Sequence, residues 1–514
     1  MSDEVLLVPL EQELDALVGQ HTIAGQSRAL AYGISGQDGL LHSAGFGAVD
    51  EDNRVPDADT VFPIASMTKS FTASAALIAR DQGSLSLHDP ITKYVPEFTP
   101  AGGQREIPTL EMLFGMCGGL TEDNSWVDPF INTPTEELLA QVAKGVRFSR
   151  LPGAAYEYSN LGFALASLAL SRAVGRPLAE FLTEELLRPL GLTSTFCDDA
   201  VPDHVARAVG YSLDPDGNWV AYERQSSDAF LGAGGLVSTV RDLATWITWL
   251  GSAFRPARTS DDDRVLSRVS RRDLQRVRMF IPPSLSLTAD GAARVVSSGY
   301  ALGLRIVTDL HRGTLVSHSG GLPGFWLNMS WHPDSGYGAI VLTNGNRGEP
   351  VALCNEALGR VLERHQAAAT TIALWPETVA LRAQADALIR HWDDALAEQI
   401  FAENIAFDRP LSERRQEIAQ LVTDIGPLLD TASPGVVTAA TAADITWSIP
   451  GQRGELLCMI HLTPVEPARI QEFVVKAIPA TRPRSASPVD ISPRTRLGDA
   501  YLTPATNVQV QFPG

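Results

Sequence analysis

The segment Phe62-Pro63-Ile64-Ala65-Ser66-Met67-Thr68-Lys69-Ser70-Phe71-Thr72 places a serine and a lysine three residues apart where an apolar helix begins. Residues i and i+3 share one face of a helix, so the Lys69 amine can lie beside the Ser66 hydroxyl. A serine needs a base in hydrogen-bond reach, and a lysine acts as a base only when burial or a nearby positive charge lowers its pKa. The free N–H groups at the helix start also favour negative charge near Ser66. Taken alone, the pair favours the structural alternative, a solvated lysine on an ordinary helix.

A second candidate motif, Tyr158-Ser159-Asn160, opens the helix predicted over 159–174. A tyrosine beside a nucleophilic serine can share or shuttle a proton if a nearby lysine lowers its pKa. The Asn160 amide offers both a hydrogen-bond donor and an acceptor. The structural alternative is a tyrosine packed at the start of the helix, with Ser159 or Asn160 as the N-cap.

The third candidate motif, His318-Ser319-Gly320-Gly321, follows the apolar strand Gly313-Thr314-Leu315-Val316-Ser317. Small residues at a sheet edge let a substrate backbone approach closely, and backbone N–H groups there can serve as oxyanion donors. The His318 side chain can be a proton shuttle or a cationic anchor near neutral pH. Its structural alternative is a histidine that caps a turn.

In this order, the three motifs resemble those of the penicillin-recognising serine hydrolases, a family of class C β-lactamases, DD-peptidases, D-aminopeptidases and related esterases. Ser66-x-x-Lys69 is similar to the first motif, Tyr158-Ser159-Asn160 to the second and His318-Ser319-Gly320 to the third in its His-x-Gly form. The separations of 92 residues (66 to 158) and 160 residues (158 to 318) suit the family. The resemblance covers about residues 10–365 and includes flanking segments such as Asp59-Thr60-Val61-Phe62, Leu87-His88-Asp89-Pro90 and Leu187-Arg188-Pro189-Leu190-Gly191-Leu192.

The resemblance implies an α/β (α+β) serine β-lactamase-like fold, with an antiparallel sheet flanked by helices and an all-helical subdomain. It implies that Ser66 forms an acyl-enzyme, while Lys69 and Tyr158 relay its proton to the leaving group and later activate water or another acceptor. The other implied residues bind substrate: the backbone N–H groups of Ser66 and Gly321 as oxyanion donors, Asn160 and His318 for orientation, and Ser319 and Gly320 within the third motif. No metal and no organic cofactor is implied.

The chain departs from the family pattern at two places. Most class C β-lactamases carry Lys-Thr-Gly where this chain has His318-Ser319-Gly320, the form more typical of DD-peptidases and D-aminopeptidases. Without the permanently charged lysine of that motif, the chain is expected to bind the carboxylate of a β-lactam more weakly. Many relatives also have a His-Thr-Ser-Gly-Leu loop, which here reads Met116-Cys117-Gly118-Gly119-Leu120 and is expected to alter the cleft wall.

Strand patterns occur at both ends of the first 366 residues with helices between them, which fits an α/β domain whose antiparallel sheet combines the two ends. The predicted strands are 29–34 and 40–48, joined by a turn at 35–39, and then 299–308, 313–319, 325–331 and 337–344. The predicted helices are 10–20, 66–81, 107–116, 135–143, 159–174, 178–188 and 350–366, and the segment 236–254 is predicted to open with a turn of small residues and to continue as a helix.

The composition changes near Ala367, and we predict a hydrolase domain over 1–366, a small α+β accessory domain over 367–479 and an extended tail over 480–514. Helical patterns at 371–407 and 411–424 precede strand patterns at 435–441, 444–449, 454–463 and 468–477. The tryptophans of this region are expected in its core rather than on a binding platform: Trp375, Trp392 and Trp447. Such a domain could cover the cleft or form a dimer contact, so a homo-oligomer stays open.

The composition, 44% hydrophobic and 20% charged over 514 residues, is that of an ordinary globular protein. With 41 basic and 60 acidic side chains, the net charge of −19 disfavours nucleic acid and anionic membranes as partners. The first residues lack the features of a signal peptide, so we expect a cytoplasmic protein. Buried, reduced thiols are expected at Cys117, Cys197, Cys354 and Cys458, and a solvated loop rather than a metal site at Asp261-Asp262-Asp263.

The leading functional prediction is a cytoplasmic serine hydrolase that acts on a small ester or amide, with short peptides containing D-residues as one option. An acyltransferase, in which an alcohol or amine replaces water, shares this chemistry up to the acyl-enzyme. A catalytically idle binding protein on the same scaffold is disfavoured because Ser66, Lys69 and Tyr158 occur together. A conventional α/β-hydrolase is disfavoured because the sequence has no Gly-x-Ser-x-Gly elbow.

Overall fold

The computed structural model describes residues 4–23, 25, 27–103, 105–202, 204–205, 207–223, 226–255, 263–287, 293–309, 312–345, 348–365, 373–429 and 437–479. The chain divides into two compact units, Met1–Thr370 and Thr371–Gly514. The tail predicted over 480–514 lies outside the described residues.

The elements of the first unit are numbered in chain order. Its helices are α1 Glu4–Ile23, α2 Thr68–Asp81, α3 Leu110–Phe114, α4 Asn124–Val127, α5 Thr135–Lys144, α6 Asn160–Val174, α7 Leu178–Leu182, α8 Leu231–Gly234, α9 Val240–Gly251, α10 Arg268–Leu274 and α11 Pro350–Arg364. Its strands are β1 Ala29–Gly36, β2 Gly39–Gly47, β3 Phe62–Pro63, β4 Phe196–Cys197, β5 Tyr211–Leu213, β6 Trp219–Ala221, β7 Leu236–Ser238, β8 Met279–Leu287, β9 Ala293–Tyr300, β10 Arg305–Asp309, β11 Gly313–Leu322, β12 Phe325–Trp331 and β13 Gly338–Thr343.

The main sheet is antiparallel and joins the two ends of this unit, as predicted. Its strand order is β2-β1-β13-β12-β11-β10-β9-β8. The first strand, β1, pairs with the last, β13, so that Tyr32 lies opposite Val341. Every residue of β1 is buried, because helices cover the sheet on both faces.

Helices on the two faces of the sheet build two separate cores. On one face, α1 and α11 pack against alternate residues of β1 from Leu30 to Ile34. On the other face, α2 and α9 belong to the larger core, where the Phe71 ring stacks on Trp246 with 3.9 Å between ring centroids. Helix α2 is buried on all sides from Thr68 to Ala79, so the core fixes its position and that of the turn before it.

The single strand predicted over 299–308 is wrong. The chain instead ends β9 at Tyr300, turns, and continues as β10 from Arg305, which pairs with Tyr300. The turn requires Gly303, because its φ of +67° is left-handed and a Cβ there would lie 2.5 Å from the Lys69 carbonyl oxygen. This turn brings the sheet against the backbone of α2.

Several helix predictions are correct in position and wrong in length. Helix α1 begins at Glu4 rather than at residue 10, and the prediction over 107–116 forms only Leu110–Phe114. The prediction over 178–188 forms α7 followed by a π-helical turn, Thr183–Leu187. In the segment 236–254 the helix α9 follows as predicted, but the residues predicted as a turn include the short strand β7, because β7 pairs with β3 just ahead of Ser66.

The second unit has a core of its own between helices and an antiparallel sheet. The segment predicted to be helical over 371–407 is divided into α12 Pro376–Arg390, α13 Asp394–Ile400 and α14 Glu403–Asp408, and α15 Leu411–Ile425 follows. The strands β14 Val437–Thr438, β15 Asp444–Gly451, β16 Gly454–Leu462 and β17 Ile470–Pro479 pair in that order. Helix α13 begins anew because the Asp393 carboxylate caps it by accepting from the N–H groups of Ala395 and Leu396.

The tryptophans of the second unit differ from each other in burial. Trp447 is fully buried in the core, and Trp392 is partly buried against it. The core prediction for Trp375 is wrong, because its side chain is 41% exposed. It occupies the N-cap position of α12, where the chain enters the helix from outside.

The cysteine prediction is confirmed, since all four thiols are free and buried. Of the acidic run near residue 262, Asp263 pairs with Arg271, whereas Asp261 and Asp262 lie outside the described residues. Within the parts of the chain that the structure describes, no helix combines the length and apolar character needed to cross a membrane.

Two neighbouring glycines of β11 test how tightly the sheet meets the turn before α2. A Cβ at Gly320 would lie 2.5 Å from the Ile64 carbonyl oxygen, whereas one at Gly321 would have its nearest neighbour 3.8 Å away, on Trp326. We therefore expect Gly320→Ala to lower the free energy of unfolding by about 1–3 kcal/mol and Gly321→Ala to change it by less than about 0.5 kcal/mol. Denaturant unfolding followed by tryptophan fluorescence measures both, and equal losses would contradict this packing.

Candidate active site

Ser66 lies in a single 3-10 turn, Ala65–Met67, that leads directly into α2. The pairing of β3 with β7 fixes the backbone just before this turn. Ala65 has a φ of +47°, a left-handed conformation that costs about 1–2 kcal/mol for a residue with a Cβ. Gly320 packs against Ala65 from the sheet, so the surrounding structure holds Ser66 on a strained and fixed turn.

The Lys69 amine is enclosed by three oxygen atoms. Its Nζ lies 3.0 Å from Ser66 Oγ, 2.7 Å from Asn160 Oδ1 and 2.8 Å from the Ala233 carbonyl oxygen. The side chain is fully buried, and this desolvation lowers the pKa of Lys69 to about 7, against the opposing effect of the Asp123 charge. When the neutral amine donates its two N–H groups to Asn160 and Ala233, its lone pair is directed at the Ser66 hydroxyl.

The Tyr158 ring lies beside the same amine, with Lys69 Nζ 5.0 Å from the ring centroid. Burial raises the pKa of Tyr158 above its ordinary value, and a hydrogen bond with Ser66 only partly opposes this effect. The pKa of Tyr158 is therefore raised, whereas a proton shuttle through this tyrosine was expected to need a lowered pKa. The phenol keeps its proton at neutral pH and can donate it.

The Asn160 side chain is held by a buried carboxylate, Asp123, which the sequence analysis missed. Asp123 Oδ1 accepts hydrogen bonds from the backbone N–H (2.7 Å) and from Nδ2 (3.1 Å) of Asn160, which turns Asn160 Oδ1 towards Lys69. Asp123 Oδ2 accepts from Ser159 Oγ and from the N–H of Leu161, at the positive end of α6. Ser159 is also the N-cap of α6, as the structural alternative predicted.

His318 lies on β11 with its side chain almost fully buried. Its Nδ1 lies 2.6 Å from the Ser319 carbonyl oxygen, which can only accept, so Nδ1 carries the proton and Nε2 accepts from the Tyr300 hydroxyl at 2.8 Å. Burial, together with the charges of Lys69 and Arg305, lowers the pKa of His318 to about 3. The imidazole is therefore neutral at neutral pH, and the cationic anchor that we considered for it is wrong.

The edge of β11 beyond Ser317 faces the nucleophile. In the described strand pairings, β10 reaches β11 only as far as Ser317, whereas β12 continues alongside to Leu322. The other edge of residues 318–322 lies against the Ser66 turn. A small cavity of about 30 Å³ is found there, with Ser66, Asn160 and Gly321 in its wall.

The structure brings most of the predicted site residues together near the Ser66 turn, and three of them line this cavity. Lys69 contacts Ser66 and Asn160, and Gly320 packs against the turn that carries Ser66. Ser319 differs, because side chains alternate along a strand and its own side chain is exposed where that of His318 is buried. Only the Ser319 carbonyl oxygen contributes, by holding the imidazole.

Two further residues near the third motif were missed in the sequence. Tyr300 binds His318, and the charge of the exposed Arg305 acts to lower the pKa of both Tyr156 and His318. The prediction of one continuous strand concealed that Tyr300 and Arg305 are opposite each other across a turn. Gly303 was the local signal for that turn. Asp123 had no comparable signal, because its partners come from 36 and 37 residues further along the chain.

Comparisons with known proteins show what the chain is similar to over most of its first unit. The family model described as Beta-lactamase matches residues 14–363. Protein flp of Staphylococcus aureus (strain N315) is 25% identical over 370 residues, which are 71% of this chain and 69% of that protein. The D-alanyl-D-alanine-carboxypeptidase/endopeptidase AmpH of Escherichia coli (strain K12) is 27% identical over 319 residues, which are 60% of this chain and 77% of that protein.

Solved structures share the fold. The octameric penicillin-binding protein homologue from Pyrococcus abyssi superposes with a TM-score of 0.60 and 18% identity over 90% of this chain and 99% of its own. The Beta-lactamase/D-alanine carboxypeptidase from Yersinia pestis, complexed with citrate, superposes with a TM-score of 0.54 and 20% identity over 71% of this chain and 100% of its own. Because the family model spans more than half of the chain, the protein belongs to the Beta-lactamase family and is a serine hydrolase.

Proposed function

We propose that Ser66 forms an acyl-enzyme with a small ester or amide and that water then releases the acid. The observation that carries this proposal is the buried Lys69 amine, 3.0 Å from Ser66 Oγ, with its pKa lowered to about 7. A lowered pKa leaves part of these amines neutral near pH 7, so the base for the serine is available under ordinary conditions.

In the first step Ser66 Oγ attacks the carbonyl carbon, a C–O bond forms, and the hydroxyl proton moves to Lys69 Nζ. The carbonyl oxygen becomes an oxyanion, which the backbone N–H groups of Ser66 and Gly321 stabilise. The bond to the leaving alcohol or amine then breaks. The leaving group takes the proton from Lys69 through the Tyr158 hydroxyl, which restores the neutral lysine.

In the second step a water molecule attacks the acyl carbon of the ester on Ser66. Its proton passes to Lys69, the ester bond to Ser66 breaks, and the Ser66 oxygen regains a proton from the same relay. In this proposal Asn160 keeps the amine in place, and neutral His318 keeps the Tyr300 hydroxyl and the β11 edge in fixed positions.

The leaving side of the substrate is proposed to carry a carboxylate. Arg305 is exposed and lies in electrostatic reach of His318 and Tyr156, so it supplies the cation that His318 does not. The edge of β11 that faces the Ser66 turn has no described strand partner beyond Ser317, and it can also pair with an extended peptide. These features suit a short peptide or ester with a free carboxylate, and a substrate ending in D-alanine, as named for the relative in Escherichia coli, is one member of that class.

The acyl-enzyme is tested by intact mass after brief incubation with p-nitrophenyl acetate. We expect an adduct of one acetyl group or rapid hydrolysis in the wild type, and a loss of at least about 1,000-fold in hydrolysis for Ser66→Ala. Ser84→Ala, an exposed serine beyond the end of α2, is the matched control and should retain full activity. Hydrolysis that survives in Ser66→Ala would overturn the proposal, and the absence of any reaction in the wild type would favour an idle binding protein.

The pH profile of kcat/KM tests the identity of the base. Because the neutral amine is the active form, the rate should rise with pH through about 7 and then level, while His318 (pKa about 3) does not titrate in this range. The Asp123 carboxylate raises the pKa of Lys69, so Asp123→Asn should move this rise to lower pH. Glu122→Gln, an exposed neighbour, should leave it unmoved. A rise that stays at the wild-type pH in Asp123→Asn would assign the titration to a different group.

The role of Arg305 is tested with two acetyl esters that differ only in the charge of the leaving group, 3-acetoxybenzoate and 3-acetoxybenzamide. We expect Arg305→Gln to lower kcat/KM for 3-acetoxybenzoate about three- to tenfold, equivalent to about 0.7–1.4 kcal/mol, and to leave kcat/KM for 3-acetoxybenzamide unchanged. The control is Arg364→Gln, an exposed arginine at the end of α11. Equal effects on both esters would contradict a carboxylate contact.

A further inference from the structure

A cavity of about 500 Å³ lies beside helix α5, and we call it the α5 cavity. Its wall is formed by the segment 120–126, by α5 with the residues that follow it, and by the start of α6. Among the described residues, this wall has no member in common with the wall of the cavity at Ser66. It does include Asp123, the carboxylate that holds Asn160. The α5 cavity therefore has no part in the mechanism proposed above, yet it reaches a residue that supports the site.

The α5 cavity is apolar inside and polar at its entrance. Its apolar side chains are buried or half-buried: Leu120, Leu138, Val142, Val146 and Leu161. The exposed wall residues form the entrance: Thr121, Glu122, Trp126 and Arg147. Trp126 is 40% exposed, so part of its indole ring is open to a ligand. Because an apolar cavity of about 150 Å³ holds a benzene ring, the α5 cavity has room for a ring or a branched group that carries a charged head.

The charges of this wall favour a cation. Glu122 and Asp123 contribute two negative charges and Arg147 one positive charge. Among the described residues, the Glu122 carboxylate accepts one hydrogen bond, from the backbone N–H of Asn124 at 3.1 Å. The Arg147 side chain is exposed and also borders a separate groove, so water and salt screen its charge. The indole of Trp126 adds an attraction that an ammonium ion gains over its ring face and an anion does not.

The charges of this wall also act on the catalytic groups. The Asp123 charge raises the pKa of Lys69, and the charges of Asp123 and Glu122 both raise the pKa of Tyr158. Tyr158 and His318, which lie near Lys69, are neutral near pH 7, so Asp123 is the charged side chain that favours the ammonium form of Lys69. A cation next to Asp123 acts in the opposite direction. It increases the fraction of Lys69 that is neutral and able to act as a base.

We propose that the α5 cavity is an effector site for an organic cation, in which an ammonium group is attached to an aromatic or branched apolar group. The apolar group packs against Leu138 and Val142, and the ammonium group lies between Glu122 and the Trp126 ring. Occupation of this site activates the hydrolase below pH 7. The activation rests on the proposed role of Lys69 as the base, whereas the binding does not.

Binding is measured by isothermal titration calorimetry of the wild-type protein with benzyltrimethylammonium. The charge of this probe does not depend on pH, and its nitrogen cannot accept an acyl group. We expect a dissociation constant of about 0.1–1 mM for a ligand of this size. Tetramethylammonium, which lacks the ring, and phenylmethanesulfonate, which carries the opposite charge, should each bind at least about tenfold more weakly. Equal binding of the sulfonate, or no binding of the ammonium, overturns the site.

Three exposed side chains locate the bound cation. Glu122→Gln removes an anion at the entrance and should weaken binding about two- to fivefold, whereas Arg147→Gln removes a cation and should strengthen it about as much. The control is Glu137→Gln, an exposed carboxylate of α5 outside the cavity wall, which should leave the dissociation constant unchanged. Substitutions at exposed positions such as these leave the fold intact. If Glu122→Gln and Arg147→Gln both leave binding unchanged, the cation binds elsewhere and the site is overturned.

The effector role is tested with p-nitrophenyl acetate at constant ionic strength. We expect saturating benzyltrimethylammonium to raise kcat/KM at pH 6 about two- to threefold, as for a pH profile that moves about half a unit to lower pH. At pH 9, where Lys69 is already neutral, the rate should not change.

The outcomes separate the effector site from the acyl-enzyme. If the cation binds with the expected effects of the variants but does not change the rate at pH 6, the effector role is overturned and the acyl-enzyme stands. If no ester reacts through Ser66, the proposed function fails and the effector role fails with it. Calorimetry still decides in that case whether the α5 cavity binds the cation.

Discussion

The arrangement around Ser66 depends on the burial of a single amine. In water the amine of a lysine is protonated at neutral pH and cannot accept a proton from a serine. Here the desolvation of Lys69 outweighs the attraction of the Asp123 carboxylate for its charged form. This is possible because α2 is buried on all sides and because Asn160 and the Ala233 carbonyl oxygen satisfy the N–H groups of the amine. The packing of the first unit thus lowers the pKa of Lys69 and allows its Nζ to act as a base.

The same burial acts on the neighbouring groups according to their charge type. It raises the pKa of the acids Tyr158 and Tyr300, which keep their protons, and lowers the pKa of the base His318, which gives its proton up. The groups that touch the serine or its neighbours can therefore all be uncharged at neutral pH. The charged groups lie further from the serine: Asp123 contacts Asn160, and Arg305 is at the start of β10. A proton that moves to Lys69 creates an ammonium, whose charge the Asp123 carboxylate favours.

The sequence predicted what local patterns determine and missed what distant segments determine. The three motifs were recognisable through their resemblance to a known family, and the antiparallel sheet through the periodicity of short segments. Asp123, Tyr300 and Arg305 were not, because each acquires its place through a residue of another element. The charge of His318 was misjudged for a related reason, since its pKa reflects burial and the charges of two distant residues. The exposure of Trp375 likewise depends on how the chain enters α12.

The position of β1 has a consequence for how the protein is made. This strand forms near the beginning of the chain, yet its partner β13 follows only after about 300 further residues. At a synthesis rate of about 5–20 residues per second, β1 waits roughly 15–60 s for that partner. During this interval an apolar strand, buried along its whole length in the finished protein, is open to pairing with other chains. The main sheet is therefore completed only after most of the first unit has been synthesised. The amount of folded protein in a cell then depends on how well β1 is kept from pairing with other chains during this interval.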